Sequence, residues 1–440
     1  MAGILPICIR SEAATGSRPA ASPGARTDPL ERLGRDFGDG SRPPAIVLGG
    51  HIPALAVIRG LGRMGVPVIV VWSGRRQIAR TSSHVLAHVK APSPEHAEDE
   101  YVDLLIRLVE RTGPASLVVP TSDSTLGTVA RNKAALEARC RVACVEWEVA
   151  ERFLDKRLTY RLAHEVSVPA PQTHDFRSLE EVEAAKPGLI YPCVVKPRES
   201  HRFYTRFRKK MTIVHTYGQL VEAWSEATDH GFSVLVQDFI PGPDTHGVNY
   251  NAYLGPDGAA VEATSQKLRL SPPRTGFPRV VVTKPVPEIL EPARRLLQAM
   301  GFQGFANVEF KLDARDGTYK LMEVNGRHNF SGMLSLRAGI NFPWIMYRHL
   351  VDHEPPPRDL YQRTGVYWIR LPCQPIQSLR ELMSERPSPR HFLLPYAKRH
   401  VFDILEARDP KPFLANLGGA MRAQIRALPG SRKGRRPVER

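Results

Sequence analysis

Glu309, Glu323 and Asn325, with Arg327 two residues further on, are the side chains whose types and spacing can do chemistry together. Two carboxylates and a carboxamide are hard oxygen donors. Mg2+ takes such a set readily: few carboxylates, near-octahedral geometry, and positions left for water and phosphate. A guanidinium beside that patch can steady a phosphoryl group in transfer. A solvated strand face also carries E-x-N often, so this group alone leaves both readings open. Lys196 ends an apolar run, Tyr191 to Val195. A lysine at the mouth of a buried strand can pair with phosphate oxygens as a point charge. The loop behind it, Arg198 to Lys210, is strongly basic and lacks glycine. Loops that cover phosphates usually do so with glycine-freed backbone N–H groups. Any phosphate contact here must therefore come from side chains, the alternative being a mobile cationic surface loop.

The acidic group needs a hairpin to assemble it. A strand near Asn307–Leu312, a turn at 313–317 and a return strand near Tyr319–Asn325 supply one, with Asp and Gly punctuating the turn. Side chains alternate along a strand, so Val308 and Phe310 share one face, as do Met322 and Val324. The other face carries Glu309, Glu323 and Asn325, with Glu309 opposite either Leu321 or Glu323.

Upstream, residues 1–42 are rich in Ala, Ser, Gly, Pro and Arg and read as disordered. From Ala45, apolar runs (AIVLGG, VPVIVV, ASLVVPTSD, RVACV) alternate with helical patterns at 52–64, 100–111 and 124–138. Such alternation predicts a parallel, Rossmann-like sheet over residues 43–146, with ligands beyond the strand C-termini. That singles out Gly49, Gly50 and His51, and Thr121, Ser122 and Asp123, although Ser122 or Asp123 would serve equally as a helix cap. The chain then reads helical from Trp147 to Val166, with Lys156 on it, until Pro169 and Pro171 stop it. Antiparallel strands with tight turns follow at 191–195, 211–215, 234–237, 249–254 and 260–270. Helices are expected at 217–227, 287–300 and 343–350. Glu354 to Pro357 marks a boundary, and Trp368 to Pro372 reads as an edge strand. Near the end Leu414, Leu417, Met421, Ile425 and Leu428 recur at helical spacing beside Arg422 and Arg426. That segment can pack on its own domain or lie on an anionic membrane.

The chain has 440 residues, enough for two or three domains, and an ordinary 42% hydrophobic content. No apolar run approaches the roughly 18 residues of a membrane span. Five scattered cysteines with no zinc spacing suit a reducing, cytoplasmic setting. The net charge of +16 is local. Residues 196–210 hold seven Lys/Arg against one Glu, and residues 353–440 hold seventeen against eight Asp/Glu. No zinc finger, RNP-type motif or aromatic-interleaved basic run accompanies that charge, so no nucleic-acid partner is expected.

The order of these pieces resembles the ATP-grasp superfamily, closest to the carboxylate–amine ligases of the D-alanine–D-alanine and D-aspartate ligase type. The resemblance rests on Lys156 on a helix, then VVKP with Lys196, then VQDFIPGPD, then NVEF, then MEVNGR. It implies an α/β and α+β architecture. A Rossmann-like pre-ATP-grasp domain (43–146) would precede a two-lobed ATP-grasp domain (147–352). The small lobe would span about 169–235 and the large lobe about 236–352, with a basic C-terminal extension over 353–440. It implies ATP, with Mg2+ or alternatively Mn2+ held by Glu309, Glu323 and Asn325. Lys156 and Lys196 would contact ATP phosphates. Gln237, Asp238 and Ile240 would form the adenine hinge, and Asp244 would hold the ribose. Lys267 and Arg327 would act near the γ-phosphate and the acyl phosphate. Two departures stand out: the Gly/Ser phosphate lid is replaced by Arg198–Lys210, and Gln237 stands where a Glu is frequent.

The activity implied is ATP-dependent ligation of a small-molecule carboxylate to an amine through an acyl phosphate. A carboxylase or small-molecule kinase keeps the fold and changes the acceptor. A non-catalytic, basic membrane- or nucleic-acid-associated ATP-binding protein is the third reading. Homodimerisation, and peripheral membrane contact through the C-terminus, complete the expected partners.

Overall fold

The computed structural model of the chain describes residue 30 and residues 42–74, 77–198, 203, 206–207, 209–258, 260–371 and 389–427. Most of 1–42, expected to be disordered, lies outside these. Leu30 is described. It is buried in the first domain's core, and its carbonyl accepts from Arg111 Nη1 at 3.0 Å.

The first sheet is wholly parallel. Its strands are β1 (Ala45–Leu48), β2 (Val68–Trp72), β3 (Val85–Lys90), β4 (Leu117–Pro120) and β5 (Arg141–Val142), in the order β3-β2-β1-β4-β5. β1 and β4 are apolar throughout because helices cover both faces of the sheet. β3 was not foreseen. It alternates rather than running apolar, and Leu86 is exposed on it, as suits an edge. Strand order reverses between β1 and β4, and Thr121 Oγ1 ties the two ends by donating to the Leu48 carbonyl at 2.6 Å. Gly49, at φ +122°, follows; a Cβ there would lie 2.6 Å from Thr121 Oγ1.

Two long helical runs are each broken. The run after β4 divides at Asn132 into Asp123–Arg131 and Lys133–Glu137, and Ser122 and Thr125 form a capping box at its start. The next divides at Asp155 into Trp147–Leu154 and Lys156–Glu165. The Asp155 side chain caps the second piece by accepting the Arg157 N–H at 2.9 Å. Lys156 thus sits at the first position of a helix.

A four-stranded antiparallel sheet follows: β6 (Thr173–His174), β7 (Cys193–Pro197), β8 (Thr212–Val214) and β9 (Val234–Asp238), in the order β6-β9-β7-β8. Helices Leu179–Ala185 and Tyr217–Asp229 pack on it through Val182, Leu220 and Trp224.

The third sheet has seven strands: β10 (Gly247–Leu254), β11 (Ala260–Ser271), β12 (Phe277–Thr283), β13 (Gly304–Leu312), β14 (Tyr319–Asn325), β15 (Tyr367–Ile369) and β16 (His400–Phe402). Their order is β14-β13-β10-β11-β12-β15-β16. Helix Leu290–Ala299 covers its back through Leu296 and Leu297, against Val308, Phe310 and Val324. Two expectations are corrected here. β15 is not an edge strand, because β16 pairs beyond it in parallel. Met322 is not the core partner of Val324. A bulge makes Glu309 face Glu323 and Phe310 face Leu321, so Leu321 enters the core and Met322 is displaced.

The C-terminal stretch joins the body. Helix Lys411–Ala427 packs through Phe413 on the first domain's core while Leu414, Leu417 and Met421 stay exposed. Leu428 lies outside the described residues, as do the side chains of Ile425 and Arg426. No described helix is long and apolar enough to cross a membrane.

Candidate functional site

β13 and β14 deliver the acidic pair. Glu309 and Glu323 face each other across the hairpin, and Asn325 lies two residues further along the same face, opposite Asn307. Each carboxylate meets one lysine. Lys267, from β11, forms a close ion pair with Glu309; Lys156 Nζ stands 3.5 Å from Glu323. Burial pushes the Glu309 carboxyl up, but Lys267, and behind it Lys210 and Arg327, outweigh this and hold it below the usual range.

Asn325 is held from behind by a run of amides. Its Nδ2 donates to Asn307 Oδ1 at 3.2 Å, and Asn307 Nδ2 donates to Asn251 Oδ1 at 3.1 Å. Asn329 Nδ2 donates to the same Asn251 oxygen at 3.0 Å, and Ser331 Oγ donates to Asn329 Oδ1 at 3.3 Å. With its nitrogen committed to Asn307, Asn325 has its oxygen left for the patch. Asn307, which opens the NVEF motif and shares a face with Glu309, was not singled out in the sequence. Asn251 was out of reach there, because its part depends on the register of β10 against β13.

Among the described residues no three His, Cys, Asp or Glu side chains gather as a ligand group. Two carboxylates and an amide oxygen on one face of the hairpin fit Mg2+ or Mn2+, which complete their shells with phosphate and water. The lysines now paired to the carboxylates occupy the charge that such a cation would balance.

Lys196 comes from β7 in the other sheet. It is buried, donates to Tyr160 Oη at 2.7 Å, and sits 4.3 Å from the centroid of that ring. The Tyr160 hydroxyl in turn donates to the carbonyl of Met322, the bulged residue. Burial, then the neighbouring Lys156 charge, pull the Lys196 ammonium down to about 7, with Glu323 opposing. A phosphate beside it would restore the full charge.

The residues expected at the hinge and ribose have partners already. Gln237 is buried and donates from Nε2 to Thr173 Oγ1 at 2.6 Å. The Asp238 N–H donates to the Gln172 carbonyl at 3.0 Å. The Ile240 carbonyl accepts from Lys311 Nζ at 2.8 Å. Asp244 accepts the backbone N–H groups of Leu270 at 2.8 Å and Arg274 at 2.7 Å, holding the end of β11 and the loop after it.

Arg327 turns toward the first domain. Its Nε and Nη2 meet both Asp123 oxygens, at 2.6 and 3.0 Å, where the strand order of the parallel sheet reverses. His51, at the start of helix Ile52–Gly62, lies in their field. Burial, then Arg327, lower its pKa to about 4, so the ring is neutral near pH 7. A Cβ at 326 would lie 2.4 Å from the Phe153 ring, so a larger residue there requires that ring to shift. Beside this junction a cavity of about 290 Å3 is lined by Pro120, Cys144, Phe302, Phe305, Arg327 and His328.

Residues 263–369, which carry the hairpin and its patch, match the family model described as ATP-grasp in the biosynthetic pathway with Ter operon. The chain is 24% identical over 294 residues to D-aspartate ligase of Enterococcus faecium, covering 63% of this chain and 70% of that ligase. It is 27% identical over 209 residues to D-alanine–D-alanine ligase of Ectopseudomonas mendocina, covering 45% of this chain and 65% of that ligase. Among solved structures it is similar to the L-amino acid ligase of Bacillus licheniformis. There the TM-score is 0.56 at 19% identity, over 71% of this chain and 74% of that one.

Proposed function

Because the chain belongs to the ATP-grasp superfamily, of the carboxylate–amine ligase type, we propose that it joins a small-molecule carboxylate to an amine at the expense of ATP. The observation that carries this reading is the placement of Glu309, Glu323 and Asn325 on one face of the β13–β14 hairpin, with Lys156, Lys196 and Lys267 around them. In this reading Lys156 and Lys196 hold the phosphates, and Lys196 regains its proton as they arrive. Gln237, Asp238 and Ile240 border the adenine, and Asp244 the ribose. A bound Mg2+ or Mn2+ at Glu309, Glu323 and Asn325 supplies neutralisation of the phosphate oxygens. The substrate carboxylate attacks the γ-phosphorus in line, ADP leaves, and the amine then displaces phosphate from the acyl phosphate. Lys267 and Arg327 balance charge at the reacting end. The residues' work is positioning and electrostatics, so no side-chain nucleophile is needed.

The test is ADP release by purified protein given pooled amino acids, ATP and Mg2+, with the product's mass distinguishing ligation from phosphorylation. Lys196→Ala and Glu323→Gln should each lower turnover by about 100-fold or more while leaving the melting temperature near that of the parent. Turnover that survives both substitutions would refute the assignment.

A further inference from the structure

The last two lysines of the glycine-free loop after β7 part company. Lys209 reaches outward to Glu226 at 3.5 Å. Lys210 turns inward. Its ammonium lies 3.7 Å from the centroid of the Phe277 ring and 3.4 Å from the Gly276 carbonyl, which is long for a hydrogen bond. Among the described residues no carboxylate comes within 4.0 Å of it. A phenyl face and one distant carbonyl are poor replacement for water around an ammonium.

The charges that act on Lys210 are those of the acidic patch and its neighbours. Burial, the largest influence, lowers its pKa. Glu309 and then Glu323 are the carboxylates that act on it, opposed by Lys267 and Arg370. Phe277 also fixes its direction. Arg370, at the end of β15, sits 5.9 Å from the same ring and 5.7 Å from Phe330, which packs against Phe277. Arg370 has a counter-charge in Asp403 at 3.8 Å; Lys210 has none as close. A desolvated ammonium held at the edge of a site rich in cations is arranged for an anion that arrives from outside.

Resting on the nucleotide reading above, we propose that Lys210 binds the terminal phosphoryl group of a nucleoside triphosphate. It would do with side-chain charge what glycine-rich loops do with backbone N–H groups. Lys156 stands 3.5 Å from Glu323, whereas Glu309 is the carboxylate that acts most on Lys210, so the lysines serve different carboxylates of the patch. Lys210 therefore discriminates triphosphate from diphosphate, whereas Lys196 serves both.

The experiment is calorimetric titration of the full chain, in Mg2+, with ADP and with a non-hydrolysable ATP analogue. Parent, Lys210→Met, Lys210→Arg and Lys196→Met are compared, with a thermal melt of each. Lys210→Met should weaken the analogue by roughly 10- to 100-fold and leave ADP within about twofold. Lys210→Arg should recover most of the loss. Lys196→Met should weaken both nucleotides. An unchanged ratio of the two affinities in Lys210→Met, or an equal loss for both, overturns the proposal. Selective loss of the analogue in a protein that ligates nothing sustains Lys210's role and removes the ligase reading. A parent that binds neither nucleotide removes both.

Discussion

Asp409 and Glu309 are both carboxylates enclosed with cations, yet their surroundings differ in kind. Asp409 is completely buried beside an equally buried Arg59. Its oxygens accept from Arg59 Nε at 3.0 Å, Ser82 Oγ at 2.7 Å and the Ser83 N–H at 2.8 Å. Arg59 Nη2 donates to the Ile404 and Asp409 carbonyls at 2.8 and 3.0 Å. This cluster closes on itself and fastens the C-terminal stretch to helix Ile52–Gly62 and the 310 turn Ile78–Thr81. Around Glu309 and Glu323, by contrast, stand Lys156, Lys196, Lys210 and Lys267, so cations outnumber carboxylates two to one. The first cluster pairs its charges internally, although Arg59 Nη1 has no hydrogen-bond partner; the second keeps an excess of cations, which suits the anion proposed there.

The sharpest way to break this contrast is at its closed end. Asp409→Ala takes one of two carboxylates from a buried guanidinium, Glu406 standing 3.1 Å from the same Nε, and breaking a buried pair typically costs up to about 3–5 kcal/mol. Chemical denaturation should show a loss of that size, while nucleotide affinity of the folded fraction stays near the parent value. A substitution that left stability untouched would mean the closed cluster is not what it appears from its bonds.

The open end yields a smaller, more specific effect. Asn307→Leu removes the acceptor that fixes Asn325. Partners of metal ligands typically matter by about 10- to 100-fold in metal affinity. The expected result is a Mg2+ requirement raised by about tenfold or more, read from analogue binding as Mg2+ is titrated, with Mn2+ recovering part of the loss. Equal Mg2+ dependence in parent and variant would reduce the amide run to packing.

The finest test concerns one proton. Lys196 titrates near 7 in the free protein, and phosphate should raise that value. At pH 8 triphosphate binding should therefore take up close to one proton, detected as a dependence of the binding heat on buffer ionisation enthalpy. At pH 5.5, where the lysine is already charged, uptake should vanish. Apparent affinity should accordingly fall as pH rises past 7. Lys196→Arg should abolish the uptake, and uptake that persisted would place the titrating group elsewhere.

The two clusters were not equally legible in the sequence. Glu309, Glu323 and Asn325 could be grouped because strand alternation and a short turn are local rules. The parallel sheet was readable because buried strands such as β1 and β4 are unbroken apolar runs. β3 and β16 escaped, one for its exposed alternate residues and the other for its three-residue length. The bulge that exchanges Met322 for Leu321 left no mark, since both residues are apolar. Asp409 and Arg59 stand 350 positions apart, and nothing in either neighbourhood announces the other. The same holds for Asn251 beside Asn307, and for Asp123 beside Arg327.

That last pair spans the molecule. Arg327 leaves the hairpin one residue beyond a glycine packed against the Phe153 ring, and it ends on a residue of the parallel sheet's switch point. The Arg327–Asp123 pair thus joins the leading domain to the end of the hairpin, beside apolar packing and hydrogen bonds such as Asn341 to the Gly60 carbonyl. Any exchange of that domain for a relative's would have to bring an acid to position 123, or leave a lone positive charge in the seam.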